Sequence, residues 1–477
     1  MKINLLGQTG TSESVAVMDQ LTQNWYVHTE QEGKNNICLY PTPGLTSFAA
    51  TPQGPIRGMI EYNSLLYVVS YDTLWEIDSA GTTTSRGTLN TTTGRVSMAH
   101  NGPDNGEQLA IADGTDFYIF DSGATSFTTI TQFNDASTTL FNPTTVVYMD
   151  GYFICDDPSI TGRFHISAAY DGTDWDTLDF ATAERNSDAL KSIVVSNRVL
   201  WLVGEKSVEA WYNNGNADFT FAPVQSGYSE WGTPASESPA EMGGSIFYLS
   251  QNTEGKGQVV MTNGLLPKVI STTAITTQIN AMTTIDDAYG YVYQYNGHNF
   301  YVLSFPTEET TLVYDMTTGT WHTWQSLETG YHRSTHHVFI FNKHMVGDPS
   351  SGRVFELDWD EYTEDGDTIT RIRRSKSIHG DDKAIRHYSL WVDMEEGTGD
   401  FTTTDPQIIM RFRDDGGLWS NNKLRSIGAK GKYKTRVIWR MLGRSRDRVY
   451  ELKLTDPVKA VLIGAYLDIQ ADSESNR

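Results

Sequence analysis

Cysteine is nearly missing: Cys38 and Cys155 are the only two in 477 residues, which excludes a scaffold held by disulfides and leaves two small buried or half-buried thiols. No run approaches the ~20 consecutive apolar residues that a membrane-spanning helix needs. The opening MKINLLGQTGTSES carries one Lys, no apolar core and no small-residue cleavage site, so no signal peptide is expected. Cys and His show no zinc spacing, and G-x-S-x-G, H-E-x-x-H and Walker A patterns are absent. No catalytic residue, cofactor site or metal site is therefore expected. Helical periodicity is scarce too, with 176–192, containing ATAERNSDALKS, the one candidate short helix. Positive charge is in deficit, with 36 Lys+Arg against 59 Asp+Glu and a net charge of -23. A body this acidic repels phosphates and does not bind nucleic acid by charge attraction.

What is abundant is turn and strand chemistry. Gly, Thr, Ser, Asn and Asp punctuate short apolar runs, alongside 24 Tyr, 19 Phe and 12 Trp. From about Pro55 a cassette recurs: an apolar strand, a turn rich in Asn, Asp or Gly, a second strand, and often a third. IRGMIEYNSLLYVV followed by SYDTLWEID is the first, with its turn at Tyr62-Asn63-Ser64. Later examples are GEQLAIADGTDFYIFD, SIVVSNRVLWLVGEKSVEAWY and YVYQYNGHNFYVLSFPTEETTLVYD. Starts lie roughly 40–50 residues apart, the repeat of a four-stranded propeller blade. Strands apolar on successive residues, such as LWLV and FYVL, fit blades covered on both faces. The fold predicted is all-β: a degenerate β-propeller of six or seven blades with an additional C-terminal β-sandwich-like module. A pair of stacked β-sandwiches is the alternative for the same strand inventory.

The predicted domains are an N-terminal arm and platform segment at 1–50, a propeller body at 51–370, a C-terminal β module at 371–470 and a disordered tail at 471–477. The arm ends at the TPGL turn (Thr42, Pro43, Leu45) and shows little alternation, so it is not expected to fold alone. The acidic stretch EYTEDGDTITR (361–371) marks the boundary before the C-terminal module. That module reads as the strands HYSLWVDMEE, QIIMRFRDDGG, KTRVIWRMLGR, RVYELKLTD and AVLIGAYLDIQ. In RVIWRML, alternation puts Val437, Trp439 and Met441 on one face and Arg436, Ile438 and Arg440 on the other. Charge divides in the same way. Residues 371–459 hold 20 Lys+Arg against 12 Asp+Glu, and the remainder 16 against 47. An acidic body joined to a basic module implies two surfaces with different partners.

Two turns stand out. FRDDGGLWS resembles the Asp-box hairpin of sialidase-like propellers, with Asp414 or Asp415, Gly416 and Trp419 in the cap, corner and plug positions, and Arg413 where a Ser usually leads. YDMTTGTWHTW matches a propeller hairpin in which Asp315 caps, Gly319 takes the left-handed corner and Trp321 packs back. Both are structural. His332, His336, His337 and His344 form a histidine cluster, but adjacent His336 and His337 point to opposite faces of a strand and do not share one metal. The pairs Asp156-Asp157, Asp286-Asp287 and Asp381-Asp382 have acid/base composition but nothing to place them in a pocket. The densest basic run is Arg436, Arg440, Arg444, Arg446 and Arg448, a candidate surface for contacts between subunits, through carboxylates, or with DNA phosphates.

The segment 171–212, DGTDWDTLDFATAERNSDALKSIVVSNRVLWLVGEKSVEAWY, resembles the packaged-DNA stabilisation proteins, the tail-hub or nozzle proteins of short-tailed phages. GRVSMAH (94–100) matches a further short block, and 410–465, with RFRDDGGLWS, GKYKTRVIWRMLGRSRDRVYEL and DPVKAVLIGAYL, resembles the family's closing module. The resemblance implies a structural virion protein and not an enzyme. It implies a homo-oligomer, a hexameric ring below the portal and adaptor (head-to-tail connector) rings, continuing the channel through which double-stranded DNA passes without sequence specificity. Tail needle, plug or fibre proteins are the further partners implied, and no cofactor is. The competing readings are a glycan-binding or glycan-cleaving receptor-recognition propeller of a phage tail, and a cellular protein-interaction propeller.

Overall fold

The apolar cassettes fold as hairpins because each joins strand-forming residues through a turn that accepts positive φ. In six blades the first hairpin reverses on two consecutive such residues, including Asn63-Ser64 (φ 52° and 62°) and Asn197-Arg198 (φ 50° and 59°). Turns of that hand match the right-handed twist of the flanking strands. The computed structural model describes residues 5–14, 18–30, 32, 35–133, 142–183, 185–380, 383–399 and 403–471. Asp381, Asp382 and the tail after 471 lie outside the described residues.

Seven four-stranded antiparallel units follow one another: blade 1 (56–88), blade 2 (97–130), blade 3 (146–182), blade 4 (190–229), blade 5 (240–269), blade 6 (289–324) and blade 7 (337–358). The first strand of each touches the first strand of the next, and His337–Ile340 of blade 7 returns to Ile56–Tyr62 of blade 1. The result is a closed seven-bladed propeller, and the stacked-sandwich alternative falls. Blade 7 takes its fourth strand from upstream: Gly44–Ala50 pairs antiparallel with Arg353–Asp358. Second strands such as Gln108–Ala112 are buried along their whole length, whereas the outer Thr83–Thr88 is largely exposed. Neighbouring blades therefore cover both faces of the apolar strands. At the closing seam Leu66 and Val68 of blade 1 pack with Met345 and Val354 of blade 7, each side chain contributing about 1.5–3 kcal/mol by leaving water.

The C-terminal unit is a sandwich of two sheets around Trp25, Leu39, Leu390, Trp439 and Leu452. One sheet runs Trp25–Thr29, Ile37–Pro41, Leu462–Ala471, Ile385–Met394 and Val437–Arg440. The other includes Asp19–Gln23, Arg371–Arg374, Asp447–Leu454, Gln407–Asp414 and Lys423–Ser426. The segment read as an arm thus supplies strands to both sandwich sheets and to blade 7. Trp25 shows why: its ring is fully buried and its Nε1–H donates to the Ala460 carbonyl at 2.8 Å, 435 residues away. Gln23 pairs in parallel with Thr323, fastening the sandwich to the outer strand of blade 6.

Two local expectations change. The helix anticipated at 176–192 does not form; the chain instead makes the strands Phe180–Thr182 and Leu190–Ser196 with a loop between. Asp176 Oδ1 accepts the Leu178 N–H at 2.9 Å, a side-chain turn that competes with helical hydrogen bonding. The helix found, Thr273–Asn280, is capped by Thr272 and buries Ala274, Ile275 and Ile279 against blades 5 and 6. Alternation in RVIWRML holds through Arg440 only. Met441 turns to φ 58° and is 94% exposed, off the buried face it was assigned.

Candidate functional site

The five arginines of the basic run do not act alike. Arg448 is buried: its guanidinium pairs with both oxygens of Asp414 at 2.5 and 2.7 Å, donates to the Leu442 carbonyl at 2.6 Å and lies 4.0 Å over the Phe412 ring. It holds two strands together and leaves the surface cluster. Arg446 is exposed on the turn whose backbone N–H groups donate to Asp415. Arg436, Arg440 and Arg444 are exposed along one edge of the sandwich.

That edge belongs to a sheet whose two faces differ. One face packs on the sandwich core through Val27, Leu39, Leu467, Leu390 and Trp439. Pleating puts Tyr26 and Tyr40 on the other face at one end of the sheet, and Tyr466, Trp391 and Ile438 on it at the other. Blade 6 covers the first end: Tyr26 packs edge-on against Phe300 with ring centroids 5.3 Å apart. His28 Nδ1 and His298 Nε2 share a hydrogen bond at 2.8 Å, and His298 Nδ1 donates to the Asp315 carboxylate at 2.7 Å. Nothing among the described residues covers the second end. There Trp391 and Tyr466 stack with centroids 4.9 Å apart, and Trp391 is 37% exposed.

Two adjoining depressions run over this open end. A groove of about 670 Å³ is lined by Arg386, Tyr388, Arg440, Met441 and Arg444, and a smaller one by Trp391, Arg436, Ile438 and Tyr466; Ser389 and Asp468 border both. Ser389 faces Arg440 and Arg386 faces Arg444 across paired strands. The sequence reading found the arginines of 436–444 but missed Arg386, Tyr388, Trp391 and Tyr466. Their signal was the alternation in HYSLWVDM, which is visible, while the pairing that brings it beside 436–444 is not.

The remaining candidates hold structure. Asp315 Oδ1 accepts the Thr317 N–H at 3.0 Å, Gly319 sits at φ 66°, and fully buried Trp321 packs on Tyr314. In the second hairpin Asp414 pairs with Arg448, Asp415 caps 446–447, and Gly416 takes φ 71°. Trp419 carries the guanidinium groups of Arg374, Arg411 and Arg413 over its ring. Asp156 is buried and accepts the Thr144 and Thr145 N–H groups at 2.8 and 2.7 Å, Asp157 binds His165, and Asp287 caps Thr307. His337 and His344 bond each other at 2.9 Å, while His332 binds Ser334. Burial pushes His332 and His337 down to about 3, so both stay neutral. No three His, Cys, Asp or Glu among the described residues are arranged to hold a metal ion. Cys38 and Cys155 are separate buried thiols, and burial raises both.

A further feature lies on the propeller axis. Arg95, just ahead of blade 2, reaches Glu237 ahead of blade 5 at 3.2 Å and the Thr335 carbonyl ahead of blade 7 at 3.1 Å, with its guanidinium 4.6 Å over Tyr289 of blade 6. One side chain thus ties lead-in segments from opposite sides of the ring. Buried Arg57 holds its loop in place through the Gly94, Thr91 and Thr93 carbonyls.

Residues 1–362 match the family model described as bacteriophage P22 Gp10, beta-propeller, and residues 371–470 that described as bacteriophage P22 Gp10, beta-sandwich. No curated protein matches the sequence. Among solved structures, a chain of the mitotic checkpoint complex is similar at 10% identity and TM-score 0.43, over 70% of this chain and 96% of that one. The extracellular domain of the putative one-component system BT4673 from B. thetaiotaomicron is similar at 10% identity and TM-score 0.45, over 91% and 62%. The N-terminal domain of Nup159 is similar at 12% identity and TM-score 0.40, over 72% and 99%.

Proposed function

The chain belongs to the bacteriophage P22 Gp10 family of virion tail proteins, and on that footing we propose that its copies close into a ring that continues the DNA passage below the portal and adaptor. The observation that carries this reading is the separation of charge between a basic, uncovered sandwich edge and an acidic propeller. Surfaces of opposite sign on one subunit favour head-to-tail contacts, and such contacts close into rings when the rotation allows. The passage runs between copies and not through a propeller, because Arg95 bridges the blade axis. Acidic walls around that passage repel phosphates, so DNA slides without adhering.

In this reading the protein works through assembly and not through turnover. Its acidic side chains serve as turn caps, and its buried imidazoles as core polar groups. The adaptor ring and a needle, plug or fibre protein occupy the two ends of the ring, which retains the genome until ejection. Negative-stain micrographs and native mass spectrometry of the purified chain at low salt test this. Rings, six-membered on the family resemblance, are the expected result, and high salt weakens them. A chain that stays monomeric at every concentration, or a ring whose lumen is strongly positive, overturns the proposal.

A further inference from the structure

Blade 3 carries a loop built unlike the other turns. Between Arg163–Ile166 and Phe180–Thr182 the chain reads SAAYDGTDWDTLD, and it is clamped from below. Trp175 is buried, donates through Nε1–H to the Gly172 carbonyl at 2.7 Å and packs edge-on against Phe117. Asp171 accepts the Thr173 N–H at 2.9 Å and the Gln108 amide at 3.2 Å. On this rigid base Asp176 turns the backbone so that Leu178 projects, 78% exposed, between Asp176 and Asp179, with Asp174 beside them. The Asp179 carboxyl is raised above its usual range by burial and then by Asp176 and Asp174. Leu178 thus presents an apolar tip rimmed by negative charge, and a cationic, aromatic partner complements both features.

The open end of the sandwich offers that partner. Trp391, Tyr466 and Ile438 supply an apolar floor beside Arg386, Arg436, Arg440 and Arg444, with Asp468 the one carboxylate among the lining residues. The floor continues the same sheet face that blade 6 already covers through Tyr26 and Tyr40, so one end of a packing surface is used and the other is not. The two features also stand on opposite sides of the subunit. The sandwich joins the propeller at blade 6, beside blade 7, and blade 3 is the blade three removed from each. A loop and a groove so placed do not meet within one chain.

We propose that the Asp174–Asp179 loop of one copy seats in the Arg386–Arg440 groove of the next, Leu178 against Trp391 and Tyr466 and the carboxylates against the arginines. This rests on the ring reading and names its contact. The pairing is head-to-tail: each copy offers a loop on one side and a groove on the other, and it closes by rotation. Preorganisation by Trp175 and Asp171 lowers the ordering cost of binding.

The test exchanges charge between the two features in the full chain. One variant carries Arg386→Glu and Arg440→Glu; the other carries Asp174→Lys and Asp179→Lys, leaving Asp176 and its turn intact. Native mass spectrometry at low salt reads the assemblies, and circular dichroism melting checks that each variant folds. Each variant alone sets like charges against each other at the exchanged positions and loses the ring. Mixed in equal amounts they regain it, with the two chains alternating, because each groove then meets a loop of opposite sign. If either folded variant forms rings as the unmodified chain does, or the mixture stays unassembled, the loop-and-groove contact is wrong while the ring reading stands. If the unmodified chain forms no ring, the ring reading falls and takes this contact with it.

Discussion

The propeller and the sandwich solve the same problem, burying β-strands, by opposite routes. Blades are local: strand follows strand through short turns, and among the described residues only Gly44–Ala50 comes from outside its blade's run. The sandwich is non-local, drawing Asp19–Gln23, Trp25–Thr29 and Ile37–Pro41 from one end of the chain and 371–471 from the other. Charge is handled differently as well. Propeller carboxylates such as Asp156, Asp315 and Asp348 turn inward as caps for their own loops. Sandwich arginines divide between buried pairs, as at Arg448, and an open edge. The comparison teaches that local hairpins make the body and distant strands make the surface available to partners.

Acid should break the comparison most strongly. Burial lowers His322, His332 and His337 of the propeller to about 3 each, against His387 of the sandwich at about 4. These imidazoles stay neutral in the fold but take a proton when unfolded below 6.5, so stability is complete above 6.5 and falls with acidification. Glu364, raised to about 7 by burial, works the other way: its contribution is complete below 4.5 and lost as pH rises to 7. It offsets one histidine and leaves at least three in the propeller, since burial also holds His336 well below its usual range, against His387 alone in the sandwich. Melting followed across pH should show the propeller transition dropping faster than the sandwich one; equal slopes would contradict the assignment.

Trp25→Ala should cost about 3–5 kcal/mol, since it empties a fully buried site shared by distant strands. Urea unfolding should show a lowered sandwich transition, and an unchanged midpoint would detach the N-terminal strands from the sandwich. Arg448→Ala should cost about 2–4 kcal/mol by leaving Asp414 unpaired, while Arg440→Ala should stay within about 0.5 kcal/mol. Similar losses from both would erase the distinction between buried and open arginines. Gly319→Ala should cost only about 1 kcal/mol, for a side chain in the left-handed region, read as a shift in the propeller melting temperature.

The blades were legible in the sequence because their evidence is local: YNS and SNR turns lie between strands that pair with each other. The blade count was left at six or seven because the seventh is completed by Gly44–Ala50, which local pattern does not attach to 353–358. Trp25 and Val27 alternate over too few residues to announce a strand whose hairpin partner, Ile37–Pro41, joins its sheet only at Leu462, more than 400 positions away. The helix expected at 176–192 failed because Asp176 and Trp175 favour a clamped turn. Of the candidate site, the arginines were readable from composition. The aromatic floor was not, since Trp391 and Tyr466 become neighbours only through pairing across the sheet.

The pairing of Ile37–Pro41, the hairpin partner of Trp25–Thr29, with Leu462–Ala471 sets a timetable. That hairpin has no sheet to join until the ribosome has added some 430 residues, roughly 20–90 s at ordinary elongation rates. During that interval the apolar side chains of Trp25, Val27 and Leu39 stand in solvent. The groove and its aromatic floor also form only when 437–440 and 462–471 have arrived. A half-made chain therefore has the blade 3 loop but no groove to receive one, so two nascent copies cannot join through that contact until one of them is finished.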